Sequence, residues 1–87
     1  MTTLERELRA FVLLALLQAD GSPITDDALK AGARMRFSHV AFTAADLEGH
    51  VRGCEGEGWI SGTQDELLGR VWALTPKGKI RAQQLVK

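Results

Sequence analysis

Residues 47–74 read LEGHVRGCEGEGWISGTQDELLGRVWAL, and two different periodicities meet inside them. Leu47, Val51 and Cys54 recur at the i, i+4, i+7 spacing that puts three side chains on one face of a helix. Thr43-Ala44-Ala45-Asp46 ahead of them is a helix start signal, and Gly58 behind them is a stop. From Trp59 the pattern changes. Residues 59–63 (WISGT) and 70–74 (RVWAL) are strand-like, and the polar, glycine-containing stretch 64–69 between them predicts a turn. A helix running into an antiparallel hairpin is expected.

Working outward, Thr75-Pro76 is a cap followed by proline at the first helical position, which predicts a final helix carrying Ile80, Leu85 and Val86. Toward the N-terminus, Thr25-Asp26-Asp27 reads as a cap with carboxylates at the positive end of a helix dipole. That helix is expected to be short, with Ala28, Leu29 and Ala31 as its apolar face. Gly32 and the basic stretch Arg34-Met35-Arg36 are expected to loosen it before a connection through residues 37–42. Pro23-Ile24 before it suits a short extended segment. Thr2-Thr3-Leu4-Glu5 matches a capping box, so a first helix starts there and runs to about Ala19, where Asp20-Gly21-Ser22-Pro23 ends it. Its middle, residues 11–17 (FVLLALL), is apolar on all sides. One side faces the core, and the other, with Phe11 and Leu14, needs cover from a neighbour, which predicts a homodimer.

The predicted order is helix, short strand, helix, helix, strand, turn, strand, helix, and it is the order of a winged helix. Two stretches sharpen that likeness. Leu47 through Glu55-Gly56-Glu57-Gly58-Trp59-Ile60 resembles the end of the recognition helix and the start of the wing in winged-helix regulators of the MarR and PadR kind. Trp72-Ala73-Leu74-Thr75-Pro76-Lys77-Gly78 resembles the wing's exit into the last helix of such proteins. The resemblance implies an α+β, mostly α fold: a three-helix core, a two-stranded wing and a C-terminal helix. It also implies a small stand-alone protein of bacterial or prophage type that regulates transcription by binding double-stranded DNA. In such a protein the third helix enters the major groove, the wing lies along the backbone or minor groove, and the first and last helices pair two subunits.

Composition sets the outer bounds. With 87 residues, 45% hydrophobic and 25% charged, the chain suits one folded domain spanning residues 1–87. Cys54 is the one cysteine, so neither an intrachain disulfide nor a multi-cysteine metal site can form, and a reducing cytoplasm is the expected location. The apolar run at residues 10–17 falls short of the roughly 20 needed to cross a bilayer and lacks a secretory layout around it. The net charge is zero but uneven: residues 44–69 carry one basic and six acidic groups, whereas residues 70–87 carry five basic and none acidic.

This distribution divides the functional reading. With Leu47, Val51 and Cys54 turned inward, the opposite ridge of the third helix consists of Ala45, Gly49, Gly53 and Gly56, and Arg52 is the single base-reading side chain near it. Asp46, Glu48, Glu55 and Glu57 on the same helix repel phosphates. The DNA-binding candidates are therefore mostly elsewhere: Lys30, Arg34, Arg36, Arg52, Arg70, Lys77, Lys79 and Arg81. The leading expectation is a DNA-binding regulator that contacts DNA mainly through phosphates. The alternative is a protein-interaction module in which Ala45, Gly49 and Gly53 give a partner's backbone a smooth strip, with Phe11 and Leu14 as further interface residues. No nucleophile stands near a plausible base, so no enzyme is expected. His50 and Cys54 are too few for a metal site, and the glycines at 56, 58 and 62 follow a helix and enter a strand, the reverse of a dinucleotide site. No cofactor is expected.

Overall fold

A computed structural model describes residues 2–20 and 22–86. Four helices and three strands alternate along the chain: α1 (Thr3–Gln18), β1 (Ile24–Thr25), α2 (Asp26–Arg36), α3 (Ala44–Gly56), β2 (Ile60–Asp65), β3 (Gly69–Leu74) and α4 (Pro76–Leu85). A threonine opens every helix. The hydroxyls of Thr2, Thr25, Thr43 and Thr75 accept from the backbone N–H of Glu5, Ala28, Asp46 and Gly78. At α3 the Asp46 carboxylate also accepts from the Thr43 N–H at 2.9 Å, closing a reciprocal capping box.

The sheet is antiparallel in the order β1-β3-β2, with Gly62 opposite Trp72 across the hairpin. That pairing has a steric reason: a Cβ at Gly62 would come within 2.7 Å of the Trp72 ring and 2.8 Å of the Arg70 guanidinium. Trp72 is fully buried, and its Nε1–H donates to Asp26 Oδ1 at 2.9 Å, so its one polar atom ties β3 to the start of α2. Around it lie Leu8, Val12, Leu13 and Leu16 of α1, Leu29 and Ala33 of α2, Phe37, and Leu47, Val51 and Cys54 of α3. The three residues that decided the fold point inward together.

Four local expectations change. The buried face of α2 is Leu29 and Ala33, four apart, while Ala28 and Ala31 are exposed. Gly32 does not loosen that helix; it lies against the Phe11 ring, where a Cβ would be 3.2 Å from Cζ. On α4 the buried residues are Gly78 and Ala82, whereas Ile80 and Val86 are 60% and 61% exposed and Leu85 is exposed as well. The reason is close approach: the Trp59 carbonyl fills the space a Gly78 side chain would need. Finally, the hairpin strands reach Asp65 and Gly69, and the tip between them is not wholly polar, because beside Glu66 it presents Leu67 and Leu68 to water.

Candidate nucleic-acid interface

α2, α3 and the β2–β3 hairpin carry the candidate surface. Its centre is a chain of ion pairs. The Lys30 ammonium lies 2.8 Å from Asp26 and 2.6 Å from Glu48, joining α2 to α3, and Arg52 lies 3.1 Å from Glu48 and 3.6 Å from Glu55 along α3. Burial alone would raise the Asp26 pKa, but hydrogen bonds from Lys30 and Trp72, with the nearby charges of Lys30 and Arg70, outweigh it and hold the carboxyl below its ordinary value. The Lys30 hydrogen bond, followed by that of Arg52, does the same for Glu48. Lys30 is raised in turn by Asp26 and Glu48. Two of the eight nominated cations are thus already neutralised by carboxylates of the same surface.

The ridge that α3 turns to solvent is Ala45, Gly49, Arg52 and Gly56, all exposed. Gly53 does not belong to it. Arg9 of α1 lies across Gly53, where a Cβ would come within 2.6 Å of the guanidinium, and its Nε–H donates to His50 Nδ1 at 3.5 Å. Gly53 is therefore a seat for α1, while Gly49 and Gly56 have open space before them. Cys54, buried beneath, packs in the core and has its thiol pushed up to about 11 by that burial. Among the described residues no cluster of three metal-ligating side chains occurs.

The other cations spread over several sides. Arg70 stacks over Trp72 at 5.4 Å on the hairpin, and Lys77 runs past Gly58 at its base. Arg34 is exposed in the last turn of α2. Arg36 stacks on Phe37 at 5.2 Å and rims a groove of about 400 Å³ along the outer face of α1. Phe11 and Leu14 line that groove half-buried, with Phe11 edge-to-face on Phe37. Lys79 and Asp20 both line a second groove, and Arg81 stacks over Trp59 at 5.7 Å in a third, between α1 and α4. The hairpin tip is hydrogen-bonded within itself: Asp65 Oδ1 accepts from the N–H of Leu67 at 2.8 Å and of Leu68 at 2.9 Å, which lowers its pKa, and Gly69 takes the left-handed φ of 77°. Sequence reasoning missed Arg6, Arg9 and this tip; two adjacent leucines inside a turn were its available signal.

Three helices, a short strand between the first two, and a hairpin leading to a fourth helix define a winged helix, with β2–β3 as its wing. No protein-family model and no curated protein matches the chain. Among solved structures, the chain is similar to SSV1 F-93, with a TM-score of 0.68 and 22% identity over 88% of this chain and 80% of that one. At that identity the likeness carries the fold. No helix among the described residues is long and apolar enough to cross a membrane.

Proposed function

We propose that this chain is a non-catalytic DNA-binding regulator of the small stand-alone bacterial or prophage type, acting in the cytoplasm as a homodimer and holding duplex DNA by its phosphates. One observation supports the phosphate mode above base reading: the exposed ridge of α3 offers bases nothing but Arg52, and Glu48 and Glu55 hold that guanidinium. Arg34, Arg70 and Lys77 have no carboxylate at ion-pair distance among the described residues; Arg34 stands in the last turn of α2, Arg70 on the wing and Lys77 beside Gly58 just after α3, and they are the phosphate contacts of this reading. The bare ridge of Ala45, Gly49 and Gly56 lets the helix backbone approach the groove without selecting a sequence.

Binding of random duplex DNA, followed as salt is raised, tests the proposal. Affinity should fall linearly on logarithmic axes with a slope of about 0.9 per neutralised phosphate. Arg70→Ala and Lys77→Ala should each reduce that slope by about 1, and Lys30→Met and Arg52→Gln should leave it unchanged. Absence of binding at low salt ends the proposal. It would favour the second reading, a protein-interaction module, which draws on the open space before Gly49 and the phosphate-repelling carboxylates of α3.

A further inference from the structure

The wing tip and the α1–α4 groove are opposite in character and complementary to each other. The tip, Asp65-Glu66-Leu67-Leu68, holds two carboxylates beside two leucines that are 94% and 59% exposed. Holding Leu67 in water costs hydrophobic free energy, and the Asp65 carboxylate and Gly69 spend local structure on keeping it there. The groove, of about 260 Å³, is lined by Arg6, Arg9 and Arg81 around Trp59, Leu13 and Leu85, with no carboxylate in its lining. Its arginines have no ion-pair partner among the described residues: Arg9 donates to His50 and Arg81 to Gln84. That volume is below the range typical for small-molecule sites and suits one or two side chains.

We infer that the wing tip of one copy docks in the α1–α4 groove of a second copy, with Leu67 and Leu68 against Trp59, Leu13 and Leu85, and Asp65 and Glu66 facing Arg6 and Arg81. The inference rests on the self-association of the functional reading, at a groove separate from the Phe11 and Leu14 face, and is independent of its DNA part. It explains why the tip is acidic and apolar where a DNA-reaching wing would be basic. Tip and groove are different patches, and a single tip-in-groove contact joins two copies by itself.

Sedimentation without DNA tests it. The native chain should gain mass with concentration, and the gain should weaken as salt screens the arginines. Leu67→Ser with Leu68→Ser, both exposed and without a folding role, should weaken association about tenfold or more, and Arg6→Glu with Arg81→Glu should do the same. Each variant keeps one half of the contact. Mixing the two should therefore restore a pair of twice the 9.5 kDa chain mass. A native chain that stays monomeric at low salt, association indifferent to the tip substitutions, or a mixture that does not pair would each overturn the inference. DNA binding lost with pairing intact would count against the functional reading alone.

Discussion

Gly78 shows how much one residue can decide. It stands in the first turn of α4, where helix propensity alone would welcome alanine, yet a Cβ there would run into the Trp59 carbonyl that also accepts the Thr75 N–H at 3.0 Å. Gly78→Ala should therefore displace α4 from the base of the wing and cost about 2–3 kcal/mol, lowering the thermal midpoint by roughly 10–20 °C. Calorimetry checks it, and an unchanged midpoint would mean that α4 does not pack this closely. The four threonine caps operate at the same scale, each contributing about 1 kcal/mol. They were legible from sequence because a cap needs only residues within one turn of itself. The crowding at Gly78 was not, since its partner lies on another element.

Among the elements, α3 separates helix-level from contact-level roles most clearly. Its inward face of Leu47, Val51 and Cys54 follows from spacing, as does its start at Thr43. Its two interior glycines, Gly49 and Gly53, look equivalent in sequence and are not. Gly49 faces open space, so Gly49→Ala should remove the conformational cost of glycine with no clash and stabilise the protein by up to about 1 kcal/mol, raising the midpoint by roughly 4–8 °C. Gly53→Ala must move the end of the Arg9 side chain first, so its gain should be smaller or absent. Equal shifts in a melting comparison would contradict this difference. The wing presents a similar case: strand-like residues and a turn signal revealed the hairpin, but not that Leu67 and Leu68 project from its tip.

For the whole molecule, the Trp72–Asp26–Lys30–Glu48–Arg52 series joins β3, α2 and α3 across the surface of one core. Asp26 and Glu48 have folded-state pKa values below their ordinary ones, so their contribution to stability is complete above the ordinary carboxylate range near pH 4. It is lost as pH falls through the depressed values. Lys30 is raised, so its contribution holds below its ordinary pKa and is lost only in strong alkali. Lys30→Met should destabilise the protein by about 1 kcal/mol at pH 7, and the difference from the native chain should shrink as pH falls below about 4. Denaturant titrations at several pH values measure this; a pH-independent difference would show that lost packing, and not charge, accounts for it.

The order of elements, the threonine caps, the inward face of α3 and the hairpin were readable from the chain alone, because each depends on spacings of a few residues and on the preferences of the backbone. Which cations are free was a matter for the tertiary structure. Arg52 pairs with Glu48 and Glu55 at helical spacing within α3, but only the packing of α2 on α3 brings Lys30 to Glu48 as well. Likewise Arg6, Arg9 and Arg81 come from opposite ends of the sequence and become one groove only when α4 closes on α1. Charges are counted along a sequence, but they pair and converge across distances that only folding makes short.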